Sequence, residues 1–395
     1  MKINLAVLFG GKSVEHEISI ISALQAMQSL DKEKYEIFPI YITKNNELYY
    51  GEALFDIENF KDLKTVVANC EQVDFMVRGK KTYLEILDKK LFSKKEISHI
   101  DIAFPIVHGT NTEDGTIQGY LASKNLPFVG SDLLSSAIGM DKYVSKILLK
   151  EAGFPVLDGL MFNQIDYKEP ETIVSKIEEK FNYPIIIKPI NLGSSIGISK
   201  AKNAIELEEA ITTAFSYATR ILVEEAVVNI KEVNCSVLGD HEEAFPSILE
   251  EPLNSDEILS FNDKYVSGNK NAKSSGMASL KRKIPADVTP KMELEIKEIA
   301  KNAFQYLGFN GVVRVDFIID TSLNKIYINE FNTIPGSLSF YLWEKTDLTY
   351  TQLLDKLIKL ALKRQRLQDS LIFTFDSNVL SQSKGFGSKG SKGKA

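Results

Sequence analysis

Apolar positions in the first third of the chain come in short runs separated by helical spacing. Residues 3–9 form an apolar run closed by Gly10-Gly11, positions 13–30 repeat at helical spacing, and 35–42 are rich in β-branched and aromatic residues. This order predicts a strand–helix–strand opening on a parallel sheet, followed by a buried strand at 101–107, a helix at 116–124 and a short strand at 127–129. Residues 45–98 carry no clear period, and the charged stretch 85–95 reads as surface cover. From 132 to 152 the pattern predicts two helical pieces around Gly139, stopped by Gly153-Phe154-Pro155. Positions 167–181 are amphipathic, and 183–188 and 198–200 read as strands joined by the Gly/Ser loop 191–197, a hairpin rather than a strand-to-helix turn. Strands follow at 221–225, 233–238, 312–319 and 325–329, with helices at 289–307 and 350–366. Segment 255–285 is polar, Lys-rich and aperiodic, which predicts a lid, a binding loop or disorder. The Ser/Gly/Lys-rich end, 381–395, is expected to be disordered.

A chain of 395 residues exceeds the size at which one core divides. The pattern divides it into an α/β unit at 1–130, two α+β units at 131–224 and 225–380, and a tail at 381–395. Composition narrows the function classes by exclusion. A formal net charge of −6 offers no basic field for nucleic acid or an anionic membrane. No apolar run approaches the roughly 20 residues that span a bilayer, and the start, MKINLAVLFGGKS, reads as a first strand rather than an export signal. Cys70 and Cys235, far apart in such a chain, read as reduced thiols of a cytoplasmic protein. With two Cys and four His, a metal site is expected to use oxygen ligands, which points to magnesium or manganese.

Chemistry concentrates in VVRVDFIID and KIYINEFNT. Side chains two apart on a strand share a face, so Arg314 and Asp316 point one way between apolar Val313, Val315 and Phe317. Glu330 and Asn332 share a face if the second strand reaches that far. Paired strands would bring an Arg, two acids and an amide together, a hard-oxygen set suited to magnesium that also holds phosphates. Lys188 ends an apolar strand ahead of NLGSSIG, whose backbone N–H groups can wrap phosphate oxygens. Glu224-Glu225 after an apolar strand, with Val227 and Glu232 beyond, is either an adenine-binding hinge or a solvated turn. Glu15 stands at a helix start, where it either complements the dipole or holds an ammonium. His108 follows a strand at the end where ligands collect in open α/β sheets. Two glycine motifs fail: Ala6 stands where a phosphate loop ending in Gly11-Lys12-Ser13 needs its first Gly, and GFGSKG near the end follows no predicted strand.

In this order the stretches LFGGKSVEHEIS, HGTNTEDGTIQG, GMDKYVSK, IIKPINLGSSIG, ILVEEAVVNIKEV, RVDFIID and NEFNTIPGS resemble the ATP-grasp ligases, and among them the D-alanine–D-alanine ligases. The resemblance runs from Lys2 to about Leu380. It implies an N-terminal Rossmann-like substrate unit followed by a two-part ATP-grasp fold. It also implies ATP as co-substrate, two Mg2+ or Mn2+ ions, D-amino acids as substrates and a homodimer. By position, Glu15 would bind the first ammonium with Ser194, and His108 would lie near. Lys142 and Lys188 would hold ATP phosphates, while Glu224, Glu225, Val227 and Glu232 would seat adenine and ribose. Lys264 and Tyr265 would lie on the mobile loop, and Asp316, Glu330 and Asn332 would hold the metal. Arg314 would stabilise the oxyanion, and Gly336 would meet the second substrate.

Three departures stand out. Thr112 replaces a usual Gly before Glu113-Asp114, and the loop FNDKYVSG is short before Lys264-Tyr265. Tyr341 and Leu342 occupy, by count, the positions at which relatives place a hydroxyl and an apolar residue on the second substrate's carboxylate. The acceptor is thereby in doubt: D-alanine is favoured, with D-serine, D-lactate and another amine open, and Tyr265 favours an amino acid.

Overall fold

The computed structural model describes residues 2–87, 96–168, 170–193, 196–253 and 282–374. Ser194, Lys264, Tyr265, most of the expected lid and the tail lie outside the described residues.

The opening apolar run forms the strand Ile3–Gly10, paired in parallel with Tyr35–Ile42 on one side and Ile102–Pro105 on the other. Its residues Leu5 to Phe9 are fully buried, which is why they read as one continuous apolar run. The segment without a readable period completes the sheet. Leu48–Tyr50, Glu71–Arg78, Lys81–Ile86 and Glu96–Ile100 add antiparallel strands to give seven in all. Glu85, expected on a surface, is a buried strand residue paired with Arg78. Asp101 alone separates the two edge strands, and Asn4 ties the junction, its N–H donating to Asp101 Oδ2 and its amide to the His99 carbonyl.

Two four-stranded antiparallel sheets follow. One runs Ser199–Ala201, Ile185–Pro189, Arg220–Glu225, Gly159–Asn163; the other Ala244–Pro246, Ile230–Gly239, Gly311–Asp320, Lys325–Asn332. Helices Pro170–Glu178 and Ala204–Tyr217 cover one face of the first, burying Ile185, Ile187, Ile221 and Val223. Helix Pro290–Tyr306 covers one face of the second, with Ile296, Ala300 and Phe304 against Val313, Val315 and Phe317.

Helices Leu133–Met140 and Lys142–Glu151 break at Asp141, not at Gly139. Asp141 accepts from the N–H groups of Tyr143 and Val144 and so starts a new helix. Gly139 serves close approach instead: a Cβ there would stand 2.6 Å from Thr333 Cγ2.

The last helix, Tyr350–Asp369, returns to the N-terminal core. Its stripe Leu353, Leu354, Leu357 and Ile358 is fully buried among residues of the first sheet. At roughly 1.5–3 kcal/mol per fully buried Leu or Ile, that stripe is what holds the helix there. Tyr35 Oη, donating to Asp355 Oδ1 at 2.7 Å, fixes its placement.

Candidate active site

The polar faces of the two four-stranded sheets carry the candidate chemistry. In the ladder between Gly311–Asp320 and Lys325–Asn332, Arg314 stands opposite Asn332 and Asp316 opposite Glu330. Arg314 donates Nε to Asp316 Oδ1 at 2.6 Å and Nη2 to Oδ2 at 2.7 Å. Asn332 Nδ2 donates to the same Oδ2 at 3.0 Å, and Lys142 Nζ lies 3.0 Å from Glu330 Oε2. Carboxylates directly opposite on a ladder repel each other, and here each has a cation of its own. Burial opposes the charge of Arg314, but Asp316 outweighs it and raises the guanidinium well above its ordinary range.

The register slips between Asp316 and Phe317, so that Phe317 pairs with Ile328 and Asn329 is left over as a bulge. Strict alternation would turn Asn329 into the core beside Phe331. As a bulge residue it instead accepts from Lys188 Nζ at 3.2 Å.

Lys188 and Glu224 lie on neighbouring strands, Lys188 opposite Leu222, so both project from one face of their sheet. Glu224, 2% exposed, receives Lys188 Nζ on Oε2 at 2.5 Å and the Lys146 ammonium on Oε1. Burial would raise the Glu224 pKa, but the two lysines outweigh it and the carboxyl sits below its ordinary value. Burial brings Lys146 down to about 8 even with Glu224 opposing, and the Lys188 charge adds to that. Lys142, one turn before Lys146, also donates to the Leu192 carbonyl at 2.6 Å.

At the carboxyl end of the first sheet, Gly10 and Gly11 take φ of +93° and +96°, and the helix His16–Ser29 follows at once. Glu15, immediately before that helix, is buried, and its carboxylate sits between two glycines. Cβ atoms at Gly109 and Gly193 would stand 3.4 Å and 3.3 Å from its oxygens. His108 is buried, its Nδ1 2.8 Å from the Ile334 carbonyl and its Nε2 2.9 Å from Ser22 Oγ. Burial lowers it to about 4, so the ring is neutral: Nδ1–H donates to the carbonyl and Nε2 accepts from the serine. Glu113 takes the Gly109 N–H at 3.0 Å, and burial together with the Glu15 charge holds it well above the usual carboxylate range. Thr112, the departure from the family pattern, fills the space in front of Gly11 with its methyl group.

Beyond the hairpin the chain enters a tight turn. Ser337, Leu338 and Ser339 have φ of +50°, +53° and +50°, a left-handed conformation costing about 1–3 kcal/mol per residue. Helix His16–Ser29 helps to hold it: the Ser337 N–H donates to Ser22 Oγ at 3.0 Å, and Ser337 Oγ donates to Gln25 Oε1 at 2.7 Å. Gly336 opens the turn. Tyr341, after it, donates its hydroxyl to Glu250 Oε1 at 3.1 Å, and the Arg282 guanidinium lies over its ring at 4.0 Å. Arg282 Nη1 and Asn234 Nδ2 also donate to Glu250, at 2.8 Å and 2.9 Å. Leu342 is fully buried.

The structure thus brings together Lys142, Lys188, Glu224, Arg314, Asp316, Glu330 and Asn332. Glu232 stands opposite Ile318, on the face that carries Asp316, and Val227 is half-buried beyond Glu224. Glu225 turns to the exposed face. Lys146, Asn329, Glu113 and Glu250 join the cluster without a sequence expectation, and Arg282, inside the segment expected to be a lid, a binding loop or disorder, joins it from a short strand on which it pairs with Pro252. For Lys146 a signal existed, since it follows Lys142 by one helical turn; the bulge that places Asn329 leaves none. Among the described residues no three His, Cys, Asp or Glu side chains converge on a metal position. The hairpin offers two carboxylates and an amide oxygen instead.

Comparison with known proteins agrees with this geometry. A family model described as the D-ala D-ala ligase N-terminus matches residues 4–131, and one described as the D-ala D-ala ligase C-terminus matches residues 148–359. The chain is 39% identical to the D-alanine–D-alanine ligase of Thermosipho melanesiensis, covering 96% of this chain and 98% of that one. It is 41% identical to the ligase of the same name from Caldicellulosiruptor bescii, covering 94% and 99%. Among solved structures, the D-alanine-D-alanine ligase from Coxiella burnetii superposes with a TM-score of 0.76 at 29% identity, covering 93% of this chain and 96% of that one. The VanG D-Ala:D-Ser ligase from Enterococcus faecalis superposes with a TM-score of 0.74 at 33% identity, covering 91% and 100%. With both family models matched in order and relatives of this identity aligned over nearly their whole length, the chain belongs to the D-alanine–D-alanine ligase family.

Proposed function

We propose that this chain is an ATP-dependent ligase that activates the carboxylate of one D-alanine as an acyl phosphate and passes it to the amine of a second, making a dipeptide for peptidoglycan precursors in the cytoplasm. The observation that carries this reading is the convergence of Arg314, Asp316, Glu330 and Asn332 with Lys142 and Lys188. A divalent cation fits the donor set, because Asp316 and Glu330 face each other across the ladder with Asn332 beside them, all hard oxygen donors. Magnesium is the natural choice, with manganese as substitute, and when bound it supplies charge neutralisation between phosphate oxygens.

In this reading Lys142 and Lys188 bind ATP phosphates, and Glu224, Val227 and Glu232 seat adenine and ribose, with Glu225 beside them. Glu15, its carboxylate between Gly109 and Gly193, holds the ammonium of the first D-alanine together with Ser194. The neutral His108 fixes, through Ser22, the turn that Gly336 opens, and so shapes the second-substrate pocket. Arg314, always charged, takes up negative charge on the attacked carbonyl. Lys264 and Tyr265, in the segment expected to act as a lid, would help to exclude water, which otherwise hydrolyses an acyl phosphate. The active form is taken to be a homodimer.

A D-serine acceptor is the second reading, since one solved structure that this chain resembles, at 33% identity over 91% of the chain, is a D-Ala:D-Ser ligase. The test is phosphate release with ATP and magnesium against D-alanine, D-serine, D-lactate and L-alanine as acceptors. Release with D-alanine pairs supports the reading; release only with L-substrates sinks it.

A further inference from the structure

Lys146, Glu224 and Lys188 form a buried cluster in which one carboxylate carries two ammonium groups. Their side chains are 6%, 2% and 6% exposed. Lys146 reaches Glu224 from the helix Lys142–Glu151, whose start is fixed against the same sheet. Asp141 pairs with Arg220, and the Lys142 N–H donates to the Ile190 carbonyl at 3.1 Å. Lys188 divides its donors between Glu224 and Asn329. The two lysines are therefore not equivalent. Lys146 has Glu224 as its one hydrogen-bonded side-chain partner among the described residues, whereas Lys188 stands between Glu224 and the hairpin that carries Asp316 and Glu330.

A buried carboxylate with a single counter-ion holds that ion tightly, because releasing it strands a charge away from water. A second fixed cation removes that penalty. We propose that Lys146 is a positioning residue for nucleotide binding: it stays on Glu224 as permanent counter-ion, so that Lys188 can turn from Glu224 to an ATP phosphate without leaving a buried charge uncompensated. This rests on the reading of Lys188 as a phosphate ligand given above. The arrangement gives Glu224 a defined orientation as well, one that keeps an oxygen available to the adenine amine once Lys188 has turned away.

The test uses the full chain and four variants, Lys146→Met, Lys146→Arg, Glu224→Gln and the double variant Lys146→Met/Glu224→Gln. Binding of magnesium and the non-hydrolysable analogue AMP-PNP is measured by calorimetry, together with KM for ATP and for D-alanine. Lys146→Met should weaken AMP-PNP binding and raise KM for ATP at least tenfold, with KM for D-alanine within about twofold of normal. Lys146→Arg, which keeps the charge, should recover most of the loss. The double variant decides between positioning and a merely structural role. Removing the Glu224 charge frees Lys188, so AMP-PNP binding should improve at least threefold over Lys146→Met alone. A double variant as weak as Lys146→Met, or a Lys146→Met protein that binds normally, overturns the proposal while leaving the ligase reading intact. A wild-type chain that binds no AMP-PNP overturns both. Should Lys146→Met alone fail to fold, the double variant carries the comparison, since it buries no unpaired carboxylate; it should then bind within threefold of Glu224→Gln alone, and a larger deficit overturns the proposal.

Discussion

Arg314 and Asp316, two positions apart on one strand, grip each other through two parallel hydrogen bonds of 2.6 and 2.7 Å. The guanidinium plane is thus aimed by a carboxylate that is itself a proposed metal ligand. Lysine at 314 would keep the charge and lose the fork. Arg314→Lys is expected to lower kcat by about 10²–10³-fold, the usual loss for one oxyanion donor, with a smaller change in KM for ATP. Steady-state phosphate release checks this, and a kcat within a few-fold of normal would remove Arg314 from the reacting centre.

Glu330 faces Asp316 and is paired with Lys142, so Glu330→Gln removes one negative charge without removing volume. If the site holds magnesium, turnover should fall by roughly 10²–10³-fold, several kcal/mol of lost charge stabilisation, while the circular dichroism spectrum stays unchanged. Chelation by EDTA should abolish wild-type turnover, and added magnesium should restore it. A near-normal rate in the variant would take Glu330 out of the metal site.

The hairpin was legible because its chemistry obeys strict alternation: Arg314, Asp316, Glu330 and Asn332 land on one face as a period of two requires. Asn329 was not, because the slip after Asp316 inserts a residue that no local pattern announces. Residues 48–100 hid their strands because these are short and half-buried, with charges such as Glu85 turned inward onto Arg78. Gly139 looked like a helix break, and its reason lies across the fold in Thr333. Glu250 and Arg282 meet Tyr341 from segments far away in sequence, and only the folded chain brings them together. Family resemblance supplied the expected roles of Lys142, which spacing did not single out, and of Glu15, which spacing left between a bland and a functional reading.

Thr112 should prove coupled to Gly11. At φ of +96° alanine at position 11 is strained, and its Cβ would run into Thr112 Cγ2. Gly11→Ala is expected to cost about 1–3 kcal/mol, lowering Tm by several degrees in a chain of this size. Thr112→Ser deletes that methyl group and keeps the hydroxyl that donates to the His108 and Gly109 carbonyls. The double variant should therefore recover the steric part of the loss and not the backbone part. Strictly additive Tm changes in calorimetry would show that the two residues do not meet.

Asp355 gives the last helix a pH-sensitive anchor. Burial favours its neutral form, but bonds from Lys359, Tyr35 and Lys34 outweigh burial and hold the carboxyl below its ordinary value. A group whose folded pKa is depressed contributes stability that is complete above the unfolded pKa of about 3.9 and is lost as pH falls through the folded value. The window is therefore acidic: stability should decline from about pH 5 downward, and this residue contributes nothing to any change above that. Asp355→Asn keeps an acceptor for the Tyr35 hydroxyl and removes the titration. Urea unfolding at pH 7 and at a series of values down to pH 3 should show the difference between wild type and variant shrinking as pH falls. If that difference stays constant across the series, Asp355 titrates alike in the folded and unfolded chains, and the anchor is only the buried stripe of Leu353, Leu354, Leu357 and Ile358.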